Sequence, residues 1–302
     1  MPDYPTYLGL HDLTKRVELL KEKLKPCTVC PYHCGTDRFA ANTGRCGMGY
    51  APTVSSWSIH HGEEPPISGQ RGSGTIFLSG CPLRCAFCQN YPISQLRHGQ
   101  EMSTDELGDL MLELQNRGAH NLNFVTPTHF VPQIVEALHI AVGRGFHLPI
   151  VYNTSGYDDL ETLRLLDGIV DIYLPDMKYN DDLLAKRYSG ARNYVSVNRR
   201  AIEEMYRQVG GLALDEEGIA RRGLVVRHLV LPGGISGTRE VLQFIAGLST
   251  SIGISLMSQY FPAHRAADYE ELQRKLTPQE YDQAIEALDH FKLTNGWIQP
   301  LD

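Results

Sequence analysis

From residue 74 onward, six short apolar runs alternate with helix-like segments, and no other feature restricts the fold as much. The runs are 75–79, 122–126, 150–153, 170–174, 224–231 and 254–257. They are rich in Val, Ile, Leu and Tyr and continuous, the pattern of strands buried on both faces. Helix signals separate them. Ser103 and Glu106 fit a capping box ahead of an apolar stripe of Leu107, Leu110, Met111 and Leu114, and Gly118 stops that helix. Thr277 and Glu280 form a second box, with Pro278 at the first helical position. Six strand–helix units predict an α/β fold with a parallel sheet. No Gly-x-Gly-x-x-Gly follows the first strand, which favours a partial (β/α)6 TIM-like barrel over a dinucleotide-binding sheet.

The chain divides by composition near residue 70. The expected arrangement is an N-terminal Cys-rich extension over 1–70 and a barrel over 71–302. The extension carries an amphipathic segment over 11–24, with Leu13, Val17, Leu20 and Leu24 at helical spacing, and ends in a turn-rich stretch over 63–72. Lys plus Arg number 28 against 35 for Asp plus Glu, a net charge of −7. That balance argues against a nucleic-acid partner. No apolar run reaches transmembrane length, and residues 1–10 lack the pattern of a secretory signal, so no membrane contact and a cytoplasmic location are expected.

All seven cysteines lie between Cys27 and Cys88. An odd number without an export signal argues against a disulfide framework, and their crowding points to metal or cluster ligation. Cys27, Cys30, Cys34 and Cys46 read Cys-x2-Cys-x3-Cys-x11-Cys. Four thiolates make a closed set, which either Zn²⁺ or an auxiliary [4Fe–4S] cluster fits. His33 could replace one thiolate. Cys81, Cys85 and Cys88 read Cys-x3-Cys-x2-Cys, immediately after the first run. Three thiolates hold three irons of a [4Fe–4S] cube and leave the fourth open to a small molecule, whereas electron-transfer clusters and structural zinc use four ligands.

The loop Ser79-Gly80-Cys81-Pro82-Leu83-Arg84-Cys85-Ala86-Phe87-Cys88-Gln89-Asn90 resembles the signature of the radical S-adenosylmethionine superfamily, with Phe87 at the aromatic position before the last cysteine. The resemblance covers essentially the whole chain and is closest to the activating-enzyme branch, in particular PflX-type proteins. It continues through Val125-Thr126-Pro127-Thr128-His129, Val151-Tyr152-Asn153-Thr154-Ser155-Gly156-Tyr157, Asp171 to Tyr179, Val226 to Gly233, and Met257-Ser258-Gln259-Tyr260. It implies a [4Fe–4S] cluster on Cys81, Cys85 and Cys88 that binds S-adenosylmethionine at its open iron. Reductive cleavage then gives a 5′-deoxyadenosyl radical that abstracts hydrogen from a protein, such as a glycyl radical enzyme, or from another substrate. It also implies a flavodoxin- or ferredoxin-like electron donor. The alternatives are modification of a peptide or small molecule, and a non-catalytic cluster- or zinc-binding module.

The same resemblance assigns nucleotide contacts. Asp176 and Lys178 match an Asp-x-Lys after the fourth strand, and Arg227 stands where an Arg meets the methionine carboxylate. Thr126 and Thr128 occupy the place of a Gly-Gly-Glu segment, and Asn153 that of an Asp. Phe87, Asn90 and Gln259 complete the candidate set. His129 reads either as a substrate acid or base or as a structural histidine.

Overall fold

A computed structural model describes residues 9–40 and 43–301. The N-terminal segment read for a secretory signal therefore lies mostly outside the described residues. The strands are β1 (Thr53–His60), β2 (Ser73–Leu78), β3 (Gln100–Glu101), β4 (Leu122–Val125), β5 (Ile150–Thr154), β6 (Ile172–Pro175), β7 (Ala213–Leu214), β8 (Ala220–Leu229), β9 (Gly253–Met257) and β10 (Gly296–Ile298). They form one sheet in the order β10-β9-β8-β6-β5-β4-β2-β1-β3, with β7 beside β8. The six expected strands are β2, β4, β5, β6, β8 and β9, each parallel to the next. The sheet does not close. β10 extends it in parallel at one edge, and β1 and β3 end it antiparallel at the other.

Both capping boxes form, at Ser103–Glu106 and Thr277–Glu280, and start the helices Thr104–Asn116 and Pro278–His290. The extension's helix runs Leu10–Glu22, and Leu13 and Leu20 on it, with Leu24 just beyond, are fully buried in the main core. Alternate residues of the central strands divide between two cores, as period-two geometry requires. Ile76, Phe124, Tyr152, Tyr173 and Val226 face the helices. Val151, Ile172, Leu174 and Val225 face the opposite way and pack on Ile67.

Ile67 sits on a single helical turn, Pro65–Ser68, in the connection between β1 and β2. The turn-rich stretch therefore inserts into the concave face of the sheet as a plug. The compositional boundary at residue 70 falls between two hydrogen-bonded strands, with His60 opposite Ser73 and Val54 opposite Leu78.

Candidate active site

The cysteine loop leaves β2 through Gly80, whose φ of +80° suits glycine and where an added Cβ would meet Met48 Cγ at 2.8 Å and the Cys46 carbonyl at 3.0 Å. The loop has little internal secondary structure, so its backbone is anchored from outside. Arg84 and Ala86 N–H donate to the carbonyls of Ser189 (2.9 Å) and Tyr188 (2.7 Å), and Arg265 N–H donates to Ala86 (2.7 Å). Ser189 Oγ also donates to Cys85 Sγ at 3.0 Å, and Ser94 Oγ lies 3.1 Å from Cys88 Sγ. Phe87 is buried edge-on against Tyr260, with ring centroids 5.8 Å apart.

Burial pushes the Cys85 thiol up to about 11, against the pull of Lys178 and Ser189. Burial raises the Cys81 thiol as well, and ionised Cys85 and Cys88 would raise it further. Cys81 and Cys85, packed this way, become thiolates only beside a compensating cation, the condition an iron–sulfur group meets. Among the described residues, no three His, Cys, Asp or Glu side chains converge as ligands of one ion. A cube takes each thiolate on a separate iron, so three donors spread along one anchored loop fit it.

Behind the loop lies a chain of charged side chains. Asp176 follows β6 directly and is paired with both Lys178 Nζ and Arg227 Nε, the latter at 2.9 Å. Arg227 also donates to Asn153 Oδ1 at 2.7 Å. Burial alone would raise the Asp176 carboxyl, but Arg227 and Lys178 outweigh it and hold it below the ordinary aspartate value. Burial disfavours the Lys178 ammonium, yet Asp176 and the Cys85 thiol keep its pKa above the usual lysine range. Lys178 thus pairs with the carboxylate and lies within electrostatic reach of Cys85.

Side chains with no motif to announce them hold this turn. Asn198 Nδ2 donates to the carbonyls of Asp176 and Gly156, both at 3.0 Å, and Lys178 N–H donates to Tyr194 Oη at 2.9 Å. Tyr194 and Asn198 are four residues apart on the helix Tyr194–Val209, so both reach the same turn. His228 Nδ1–H donates to the Met177 carbonyl at 2.6 Å, and its Nε2 accepts from Thr238 Oγ1 at 2.9 Å. Burial pushes its pKa down to about 4, so this histidine is neutral.

The sequence reading also missed Glu63. It rises from the plug, accepts from Asn123 Nδ2 at 3.0 Å, and lies 3.7 Å from Arg227. The three guanidinium nitrogens of Arg227 therefore face Asp176, Asn153 and Glu63. Burial, reinforced by Glu64, raises the Glu63 carboxyl more than Arg227 lowers it.

The other candidates make no side-chain hydrogen bond or ion pair with Asp176, Lys178 or Arg227 among the described residues, although Thr126 N–H donates to the Asn153 carbonyl at 2.9 Å. Thr126 ends β4 at a φ of +61°, a left-handed conformation that a β-branched residue holds only under strain. Thr128 is buried, and its hydroxyl donates to Asp158 Oδ1 at 2.7 Å in a network with Thr154 and Tyr152. Asn90 is exposed and carries no side-chain cap for the turn that follows it. Gln259 is exposed, and its carbonyl accepts from Gln89 Nε2 at 2.8 Å. His129 Nε2–H donates to the Ser79 carbonyl at 2.8 Å, and burial pushes its pKa down to about 3, which favours the structural reading.

In the extension, backbone N–H groups of Tyr32 and Met48 reach the thiols of Cys30 and Cys46, and that of Arg45 reaches Cys34 Sγ at 3.2 Å. Such bonds orient sulfur ligands. Cys27, Cys34 and Cys46 all lie near enough to Cys30 to raise its thiol, after burial itself. His33 turns instead to Asp159, 2.9 Å away.

A parallel open barrel with three thiols at the end of its first parallel strand defines a class of protein, and comparison with known families agrees. The model of the radical SAM superfamily matches residues 75–233, just over half of the chain, and the chain belongs to that superfamily. The family implies a [4Fe–4S] cluster and S-adenosylmethionine. Among relatives, an uncharacterised protein of Methanocaldococcus jannaschii is 28% identical over 297 residues, which cover 95% of this chain and 81% of that one. A pyruvate formate-lyase-activating enzyme of Clostridium pasteurianum is 21% identical over 194 residues, covering 63% of this chain and 74% of that one. The FeFe-hydrogenase maturase of Carboxydothermus hydrogenoformans aligns with a TM-score of 0.52 and 13% identity over 95% of this chain and 66% of that one, a likeness of fold.

Proposed function

We propose that this chain is a radical SAM enzyme of the activating type, with Cys81, Cys85 and Cys88 as cluster ligands. One observation carries the reading: a loop of three cysteines, anchored from outside, comes within electrostatic reach of a buried Lys178–Asp176–Arg227 chain through Cys81 and Cys85. When bound, the cluster and nucleotide supply one-electron cleavage of the sulfonium to methionine and a 5′-deoxyadenosyl radical, which takes a hydrogen atom from substrate. The protein's own residues bind and shield. Lys178 offers an ammonium to the methionine carboxylate, and Asp176 offers carboxylate oxygens to its amino group. Arg227 orients Asp176 and Asn153. Phe87, packed on Tyr260, and the plug at Ile67 keep water from the interior.

The likeness to an activating enzyme favours a protein substrate, a glycyl radical enzyme in this reading, with peptide or small-molecule modification as the alternative. Asn90, Thr126, Thr128 and Gln259 stay in the proposal as outer nucleotide contacts. In this reading the four-cysteine set takes an auxiliary cluster, which uses each thiolate on its own iron, or zinc, which would have to draw the thiols together around one ion, and residues 1–70 form an extension to the barrel of 71–302. None of the seven cysteines is in a disulfide, which leaves all of them available as ligands, and a cytoplasmic location is part of this reading. No helix among the described residues is long and apolar enough to cross a membrane.

The test is anaerobic reconstitution with dithionite and S-adenosylmethionine. Wild type should release 5′-deoxyadenosine, and Cys85→Ala should release none. Equal release from both, or none from wild type, would overturn the proposal.

A further inference from the structure

On the flank of the cysteine loop lies a cavity of about 240 Å³ whose wall includes Arg45, Arg84, Arg97, His264 and Arg265. Cys46 of the four-cysteine set and Cys81 of the loop share that wall, so both sets come to the surface at one place. Among the described residues no Asp or Glu lines it. Arg84, Arg97 and Arg265 are exposed, on a chain whose net charge is −7. Of the four arginines, Arg265 alone has a carboxylate partner among the described residues, Asp268 at 2.8 Å. The rest are held by neutral groups: Arg45 over the Tyr32 ring at 5.1 Å, Arg84 on the Arg45 carbonyl and Arg97 on the Gly47 carbonyl, both at 3.3 Å. Their charge is left for a partner. Leu96, next to Arg97, is 54% exposed, and Phe261, three residues before His264, is 45% exposed. Arginine beside exposed apolar side chains is the composition of a protein interface.

Asp176, Lys178 and Arg227 do not line this cavity. The cavity is therefore lined by other residues than those proposed to hold the nucleotide. We propose that the arginine rim is the docking surface of an acidic one-electron donor, a small flavin or iron–sulfur protein with carboxylates around its exposed redox edge. The proposal rests on the radical SAM reading for the need of an electron. The donor loses one electron, the centre at the Cys81 loop gains it, and no bond or proton changes hands. Opposite charge steers the encounter and sets its orientation.

The test uses a purified acidic flavodoxin as probe and the variant Arg97→Glu, whose side chain lies outside the proposed nucleotide site and outside the contacts that anchor the cysteine loop. Binding is measured by calorimetry on protein without added nucleotide, alongside thermal unfolding to confirm the fold. Charge reversal should weaken binding about tenfold or more, and wild-type binding should weaken between about 0.02 M and 0.3 M salt. Release of 5′-deoxyadenosine should then fall with flavodoxin as reductant and stay at the wild-type level with dithionite. Unchanged binding in the variant or in high salt overturns the proposal. So does displacement of the flavodoxin by millimolar phosphate, which would make the cavity a small-anion site. If wild type releases no 5′-deoxyadenosine even with dithionite, the radical SAM reading fails, while the binding measurement still decides the docking surface. A variant that fails to fold leaves the decision to the salt dependence of wild type.

Discussion

Asp176 sits between Arg227 and Lys178 with little solvent to screen any of them, its side chain 11% exposed. Removing one member of such a group leaves the others buried without their counter-charge, which costs more than the group contributes against an apolar replacement. Asp176→Asn should therefore lower unfolding free energy at pH 7 by about 3 kcal/mol. The sign with pH follows from the depressed carboxyl. Its contribution is complete above the unfolded value near 3.8 and is lost as pH falls through the lower folded value. Denaturant unfolding of wild type and variant from pH 7 down to 3 should show the gap narrowing only at the acid end. A gap that is constant, or that closes near neutrality, would refute the pairing. Asp176, Lys178 and Asn153 stood out in the sequence because strand-end position and motif coincide, and Arg227 because it is a charge inside an apolar run. Glu63 did not, because its partners Asn123, Asn153 and Arg227 lie on distant strands and leave no trace beside residue 63.

The elements divide in the same way. The six parallel strands read clearly as continuous apolar runs, and both capping boxes formed where Ser103 and Thr277 placed them. β1 was missed. Thr-Val-Ser-Ser-Trp-Ser-Ile-His is half polar, and its pairing with β2 is antiparallel near the sheet edge, where one solvated face needs no apolar run. The turn-rich reading of 63–72 holds, but the burial of Ile67 was not legible there, because its pocket is built by Val151, Ile172, Leu174 and Val225 far along the chain. Ile67 is fully buried. Ile67→Ala should therefore cost about 3 kcal/mol in denaturant unfolding, the transfer loss plus an unfilled cavity. A loss below about 0.5 kcal/mol, the size of a surface substitution, would mean that the connection does not seat in the sheet.

At the scale of the whole molecule, the extension is continuous with the barrel rather than appended to it. β1 extends the sheet, the helix Leu10–Glu22 joins the main core, and Cys46 and Cys81 line one cavity. The net charge was present in the composition, but its local reversal at the arginine rim was not. Only the fold shows that Arg45, Arg84, Arg97 and Arg265 meet, since they come from four separate segments. The central claim is that the protein leaves one iron of its cluster for a nucleotide to occupy. Electron paramagnetic resonance of the anaerobically reconstituted, dithionite-reduced protein tests it most directly. The account predicts a reduced [4Fe–4S] signal that changes when S-adenosylmethionine is added and that Cys85→Ala lacks. A spectrum indifferent to the nucleotide, or a preparation holding only zinc, would contradict it.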